Sequence, residues 1–139
     1  MSIDSADPGI QRSLRGGTSL GKVERNLRSF VAACPRVQVH FITTVTRLNI
    51  DSLEGLVTFG LDVGVSMFVL REVFYHPELD VPVDRARMPD LVLRPGDYAR
   101  MAARLFQTFH GRASFEFVDS VRLATGESKM IVNSLRQGE

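Results

Sequence analysis

The chain has 139 residues, of which 44% are hydrophobic and 24% charged, and this length and composition predict a single cored domain. Its 17 basic and 16 acidic side chains nearly balance and are scattered, so we expect no nucleic-acid partner and no attraction to an anionic membrane. The single cysteine, Cys34, excludes an internal disulfide, and no cysteine pair or histidine cluster has the spacing of metal ligands.

The N-terminal region predicts the end of a strand followed by a loop. Residues 1–4 indicate a strand tail, because they run directly into the turn-forming residues 5–9. Residues 10–22 hold a predicted polar loop with Arg12, Arg15 and Gly16-Gly17. Thr18 or Ser19 then caps a predicted helix, whose apolar residues recur at spacings of three and four until Pro35 stops it. The start SIDSADPG is polar and acidic, unlike a signal peptide, and no apolar run is long enough to span a bilayer. We therefore expect a cytoplasmic protein without a membrane partner.

The central stretch predicts a strand, a helix and a second strand. Residues 37–45 are dense in β-branched and aromatic residues, which is typical of a strand covered on both faces. Residues 50–64 follow with apolar positions at helical spacing, and Asp51 with Glu54 predicts a capping box at the start of that helix. Residues 65–72 form the second apolar run. Because the connecting loops are short, the two strands are expected to be parallel with a right-handed crossover.

The remaining elements extend this pattern. Residues 73–94 form a long connection rich in Pro, Asp and Arg, which predicts a functional loop or an insertion. Residues 95–110 carry the clearest apolar stripe of any predicted helix, and residues 113–118 alternate as another strand. VRLAT and KMIVN, on either side of Gly126-Glu127-Ser128, predict a terminal hairpin.

The expected fold class is α/β, with a mainly parallel sheet built from β-α units. Three such units and part of a fourth match half of a TIM-type barrel, and they also match a small open sheet. We assign residues 1–119 to the partial barrel and residues 120–139 to a C-terminal hairpin or tail.

The ordered series of strand ends and loops resembles a known family. The run SIDSADPGIQRSLRGGTSLGKVERNLRSFVAAC, followed by VHFITTVTRLNIDSLEGLVTFGLDVGVSMFVLREVFYHPE, is similar to the second half of the barrel of radical S-adenosylmethionine (radical SAM) enzymes. The shared succession is Ser-hydrophobic-Asp at a strand end, an Arg-Gly loop, a helix, a strand closing on Thr-x-x-Asn, a helix ending in Gly-Val, and a strand closing on a charged pair. The resemblance covers residues 2–118.

The chain departs from that family in one respect. Members hold a four-iron four-sulfur cluster through a C-x-x-x-C-x-x-C loop after the first barrel strand, and this motif is absent here. The resemblance therefore implies a chain that corresponds to the barrel from about its fourth strand onward, as a fragment or a truncated member. Alone, it is expected not to bind the cluster and not to start the radical reaction.

The resemblance also implies a cofactor site. In that family, the serine at this strand end and an arginine further along the chain bind the carboxylate of the methionine moiety of S-adenosylmethionine. Ser2 and Arg15 match these positions with one extra residue between them, and Asp4 is grouped with them as the other polar residue of the strand end. A guanidinium suits a carboxylate because of its planar fork of donors. The alternative for Arg15 is an ordinary solvated loop position.

Other polar residues that follow the strands are weaker candidates for a substrate pocket. Thr46 and Asn49 follow the first central strand, and Glu72 ends the second one. His76 lies in the long connection beside Tyr75 and is the more promising of the histidines. For Asn49, a structural role in the turn before the helix is the alternative.

Two functions from different classes remain open. The chain is either a piece of a radical SAM enzyme that contributes part of the cofactor and substrate pocket, or a stand-alone half-barrel that forms a homo-oligomer through its open sheet edges without catalytic activity. An ordinary acid-base enzyme lacks a convergent set of residues in the sequence.

Overall fold

The fold is an α/β structure built on one four-stranded sheet. The computed structural model describes residues 1–17, 19–73, 88–119 and 130–133. Its strands are β1 (His40–Val45), β2 (Met67–Glu72), β3 (Ser114–Val118) and β4 (Met130–Asn133), and they neighbour one another in that order. The pairs β1–β2 and β2–β3 are parallel, whereas β4 pairs with β3 antiparallel.

The N-terminal residues add a short parallel segment beside β1. Ser2 forms a parallel bridge with Ile42. The amide of Ile3 donates to the Ile42 carbonyl at 3.1 Å, and the amide of Ile42 donates to the Met1 carbonyl at 2.8 Å. The strand tail predicted at residues 1–4 is therefore present, and Asp4 stands at its carboxyl end.

Five α-helices connect the strands in the described parts of the chain. They are α1 (Pro8–Arg15), α2 (Leu20–Ala33), α3 (Leu53–Asp62), α4 (Met88–Leu91) and α5 (Asp97–Thr108), and a 3-10 turn, Ile50–Ser52, leads into α3. Within these described parts, no helix has the length and hydropathy needed to cross a lipid bilayer.

The predicted polar loop is wrong at Arg12 and Arg15, because both residues lie in α1. The Asp7 side chain caps this helix by accepting the Ile10 amide at 2.9 Å, and Pro8 occupies its first turn, where a missing N–H costs nothing. Ser19 then caps α2 by accepting the Lys22 amide, in agreement with the sequence. Asp-Pro-Gly is typical of a turn, but Asp followed by Pro is equally typical of a helix start.

The predicted capping box at α3 is also wrong. Asp51 lies inside the 3-10 turn, and Ser52 stands at the N-cap position without a side-chain hydrogen bond to the helix. Glu54 instead accepts a hydrogen bond from Arg104 Nε at 2.6 Å. This exposed ion pair joins α5 to the start of α3.

The core lies between the helices and one face of the sheet. Phe41, Phe68 and Phe115 are fully buried on three adjacent strands, and their rings contact one another in turn. Because strand side chains alternate, the opposite face carries Thr44 of β1 and Arg71 of β2, which are paired in register. The parallel arrangement brings the carboxyl ends of residues 1–4, β1, β2 and β3 to one edge of the sheet.

The expected fold class is confirmed at the level of an α/β fold with an open, mainly parallel sheet. The successive parallel strands lie side by side, but a half TIM barrel is not confirmed, and β4 runs against the parallel direction. Within the KMIVN half of the predicted hairpin, Met130–Asn133 forms β4, which pairs with β3. The predicted partner VRLAT lies outside the described residues.

Candidate functional site

Asp4 is the centre of a polar network at the carboxyl end of the sheet. Asp4 is only 4% exposed. Its carboxylate accepts hydrogen bonds from Arg15 Nε at 2.5 Å and from the Thr44 amide at 2.9 Å, with a longer contact to Arg15 Nη2 at 3.3 Å. A nearly buried anion is thus stabilised by one cation and one backbone donor.

Arg15 and Ser2 lie together, as the sequence implied. Arg15 Nη2 donates to Ser2 Oγ at 2.5 Å, and the same guanidinium binds Asp4. Arg15 is the last residue of α1, and Gly16 follows it with a φ of 72°, a left-handed conformation that suits glycine. The hydrogen bond and charge of Asp4 raise the pKa of Arg15, so this guanidinium stays charged.

Gln11 fixes the chain around this network and was missed in the sequence. It is 2% exposed, and its Oε1 accepts the amides of Asp4 and Ser5 at 3.0 Å each. Gln11 lies on the buried side of α1, so recognising residues 8–15 as a helix would have identified it as a residue facing inward.

Asn49 holds the end of the N-terminal strand to the end of β1. It is fully buried, and its Nδ2 donates to the carbonyls of Asp4 at 2.8 Å and Thr44 at 2.9 Å. Its Oδ1 accepts the Thr46 amide at 2.7 Å and the Thr46 hydroxyl at 3.2 Å. Both polar side-chain atoms of Asn49 already have hydrogen-bond partners within the protein. The residue therefore holds the backbone of the site in place.

Of the other predicted pocket residues, Thr46 joins the network through Asn49, and Glu72 lies at the end of β2. Thr46 is 4% exposed and bonded to Asn49, and its hydroxyl also accepts the Leu48 amide at 3.2 Å. Glu72 alternates with the buried residues of β2 and therefore lies on the helix side of the sheet, whereas Arg71 lies on the same side as Thr44. His76 lies outside the described residues.

The available donors fit a carboxylate and do not fit an iron-sulfur cluster. The Arg15 side chain is 36% exposed, so its remaining N–H groups and the Ser2 hydroxyl are accessible to an incoming anion. The chain has one cysteine, and α2 leads from the network to the start of β1, so Cys34 at its C-terminal end lies toward the opposite edge of the sheet. Within the described ranges, no group of three or more His, Cys, Asp or Glu residues is arranged to hold a metal ion.

Comparison with known proteins adds no relationship to this geometry. No family model, no curated protein and no solved structure matches this chain.

Proposed function

We propose that this chain contributes part of an S-adenosylmethionine and substrate pocket of the radical SAM type and is inactive alone. The observation that supports the proposal is the contact between Arg15 and Ser2 at 2.5 Å. The two residues are separated by 12 intervening positions in the sequence. In the family that the sequence resembles, residues at these two positions bind the methionine carboxylate.

The surroundings of this pair suit the proposed role. Asp4 occupies Nε of Arg15 and thereby fixes the plane of the guanidinium, while Nη1 has no hydrogen-bond partner among the described residues. A carboxylate that approaches Nη1 and the Ser2 hydroxyl would accept one hydrogen bond from a charged donor and one from a neutral donor. The position also agrees with the general location of active sites at the carboxyl ends of parallel strands.

Titration with S-adenosylmethionine, followed by two-dimensional NMR of backbone amides, tests the proposal. We expect shifts at Ser2, Arg15 and Thr44, and little effect from adenosine, which lacks the carboxylate. Arg15→Gln should weaken the binding about tenfold, since a charged hydrogen bond is lost. Arg12→Gln, on an exposed position of α1, is the matched control and should leave the affinity unchanged.

Three results would contradict the proposal. One is the absence of shifts at these amides at millimolar cofactor. The others are an equal response to adenosine, and equal affinities for the Arg15 variant and the unchanged protein.

The backbone of residues 1–3, which pairs with β1 on one side and with no further strand in the described parts of the chain, favours the stand-alone oligomer as the second candidate function. Met1 and Phe30 are 41% and 44% exposed beside this segment and line an apolar cavity of about 360 Å³ together with Val23, Leu27 and Val39. A second copy of the chain would cover both the unpaired backbone and this apolar surface.

Sedimentation over a range of concentrations tests this candidate. A reversible dimer is expected, and Phe30→Lys should abolish it, whereas Leu48→Lys, which changes an exposed leucine elsewhere, should not. A monomer at all concentrations would exclude the oligomer. The size of the native polypeptide, detected with an antibody against residues 77–94, separates the two candidates: a band well above 15.5 kDa supports the fragment.

A further inference from the structure

A charged groove lies between α5 and the segment that runs from the end of β1 into α3, and neither Asp4 nor Arg15 lines it. It has a volume of about 590 Å³, within the range of small-molecule sites. Its apolar lining is contributed by Ile50, Met101 and Leu105, of which the last two are 8% and 1% exposed. The polar lining consists of four arginines and three carboxylates: Arg47, Arg94, Arg100, Arg104, Asp51, Glu54 and Asp97.

Ion pairing inside the groove is uneven. Arg104 donates to Glu54 at 2.6 Å across the groove, and Arg100 donates to Asp97 at 2.5 Å along α5. Among the residues that the structure describes, no carboxylate lies within ion-pair distance of Arg47 or Arg94. Two guanidinium groups that line one cavity are therefore available for an anion.

The backbone holds the segments that carry these two arginines against each other. The amide of Arg47 donates to the carbonyl of Leu91 at 2.9 Å, which joins the turn after β1 to the segment before α5. Leu93, next to Arg94, is 7% exposed and belongs to the core. Both arginines thus extend from anchored backbone, which reduces the entropy lost when they bind a ligand.

We propose that this groove binds a small molecule that carries a phosphate group, with Arg47 and Arg94 as the residues that bind the phosphate. A dianion matches two unpaired guanidinium groups in charge, and guanidinium donors bind phosphate in a bidentate manner. The apolar lining accommodates the organic part of the ligand. Asp51, the one carboxylate of the groove without an ion-pair partner among the described residues, opposes binding.

Titrations of the full chain with inorganic phosphate and with phenyl phosphate test this inference, with backbone amides observed by NMR at constant ionic strength. Saturable shifts are expected at residues 47–54 and 94–100, with phenyl phosphate binding several-fold more tightly because its ring contacts the apolar lining. Equal affinities for the two compounds would limit the site to free phosphate and overturn the small-molecule assignment.

Charge variants make the test specific. Arg47→Gln and Arg94→Gln should each weaken phenyl phosphate binding about three- to tenfold, and Asp51→Asn should strengthen it. Arg25→Gln removes the same charge from an exposed position of α2 and should have no effect. All four positions are exposed, so the variants are expected to fold. Arg47→Lys and Arg94→Lys keep the charge and should retain part of the affinity.

Two outcomes would overturn the proposal: shifts that do not saturate, or an equal loss of affinity in the Arg25 variant, since both indicate general counterion attraction. The two sites are distinguished by the amides that respond: the proposed cofactor pocket reports at Ser2, Arg15 and Thr44, whereas residues 94–100 report on this groove.

Discussion

Asp4 is an acidic residue that is almost fully buried, a combination that is rare in proteins. Its carboxylate is tolerated because Arg15 and the Thr44 amide replace the lost water. The same contacts bring Ser2 beside Arg15, so the network is both a structural connection between α1 and β1 and the best candidate for a binding site. Substitutions here must therefore be judged by stability as well as by binding.

Asp4→Asn is expected to destabilise the fold by about 1 kcal/mol, because the amide keeps the shape but loses the charge opposite the part-exposed Arg15. Asp4 raises the pKa of Arg15 in the folded state. The stabilisation is therefore fully present below the unfolded-state pKa of arginine and is lost only in strongly alkaline solution. The loss should consequently be the same at neutral and mildly alkaline pH, as measured by urea unfolding.

The control for this prediction is Asp62→Asn, which removes the exposed partner of Arg28. Because surface ion pairs contribute little, its urea midpoint should not change measurably. A larger loss in the Asp62 variant than in the Asp4 variant would contradict the role assigned to burial.

Asn49→Ala is expected to lower the free energy of unfolding by about 3 kcal/mol. The substitution leaves the carbonyls of Asp4 and Thr44 and the amide of Thr46 without their buried partner. Chemical denaturation measures the loss, and Asn26→Ala, at an exposed position of α2, provides the comparison. Similar midpoints for the two variants would show that the buried amide is replaced by water.

At the residue scale, the sequence identified several polar residues of the network but not their hydrogen-bond partners. Ser2 and Arg15, which the resemblance groups, lie in contact, and their role toward a cofactor stays a prediction. For Asn49, the structural alternative was already open. Gln11 was not predicted, because its importance depends on two amides that only the folded chain places before its side-chain oxygen. Arg104, the partner of Glu54, is 50 residues away in the sequence, beyond any local pattern.

At the scale of elements, α3 packs on the sheet through a glycine. A Cβ built at Gly60 would lie 2.6 Å from Phe68 Cε1 and 3.1 Å from Phe41 Cε2. Both rings are fully buried and packed against other aromatic rings, so neither can move without disturbing the core. The close approach of helix and sheet therefore requires glycine at this position.

Gly60→Ala and Gly55→Ala should have opposite effects on stability, although both lie in α3. At Gly60 the overpacked core is expected to cost about 2 kcal/mol, more than the gain in helix propensity. At Gly55 nothing lies within 4 Å of an added Cβ, so alanine should stabilise the fold by up to about 1 kcal/mol. Thermal unfolding of the pair measures both. Stabilisation by both substitutions would show that the helix can shift away from the sheet.

The elements that sequence patterns predicted well are those with strong periodicity. The apolar stripe of residues 95–110 became α5, and Tyr98 on that stripe donates to the Leu70 carbonyl at 2.7 Å and accepts the Val118 amide at 2.9 Å. The hydroxyl thus joins β2 to β3, and no sequence pattern predicted this pair of hydrogen bonds. The short helix α1 was missed because its start signals are shared with turns.

For the whole molecule, the resemblance implies half of a barrel, whereas the structure shows an open sheet. Successive parallel strands with their helices on one face are consistent with part of a barrel, and β4 gives the sheet an antiparallel strand beside β3. Closure depends on contacts between distant strands and has no local sequence signal. The half-barrel therefore stays a prediction, while the open α/β sheet is a result.

The number and position of thiols lead to the last prediction, which concerns the whole chain. Three thiolates hold the cluster in the family that the sequence resembles, whereas this chain has only Cys34, half-buried at the end of α2. Anaerobic incubation with iron and sulfide should therefore give no stoichiometric iron binding and no visible charge-transfer absorption. Cys34→Ser should give the same residual iron as the unchanged chain. Stoichiometric iron that disappears in the Cys34 variant would contradict the prediction, since it would require several copies of the chain to share one cluster through their single thiols.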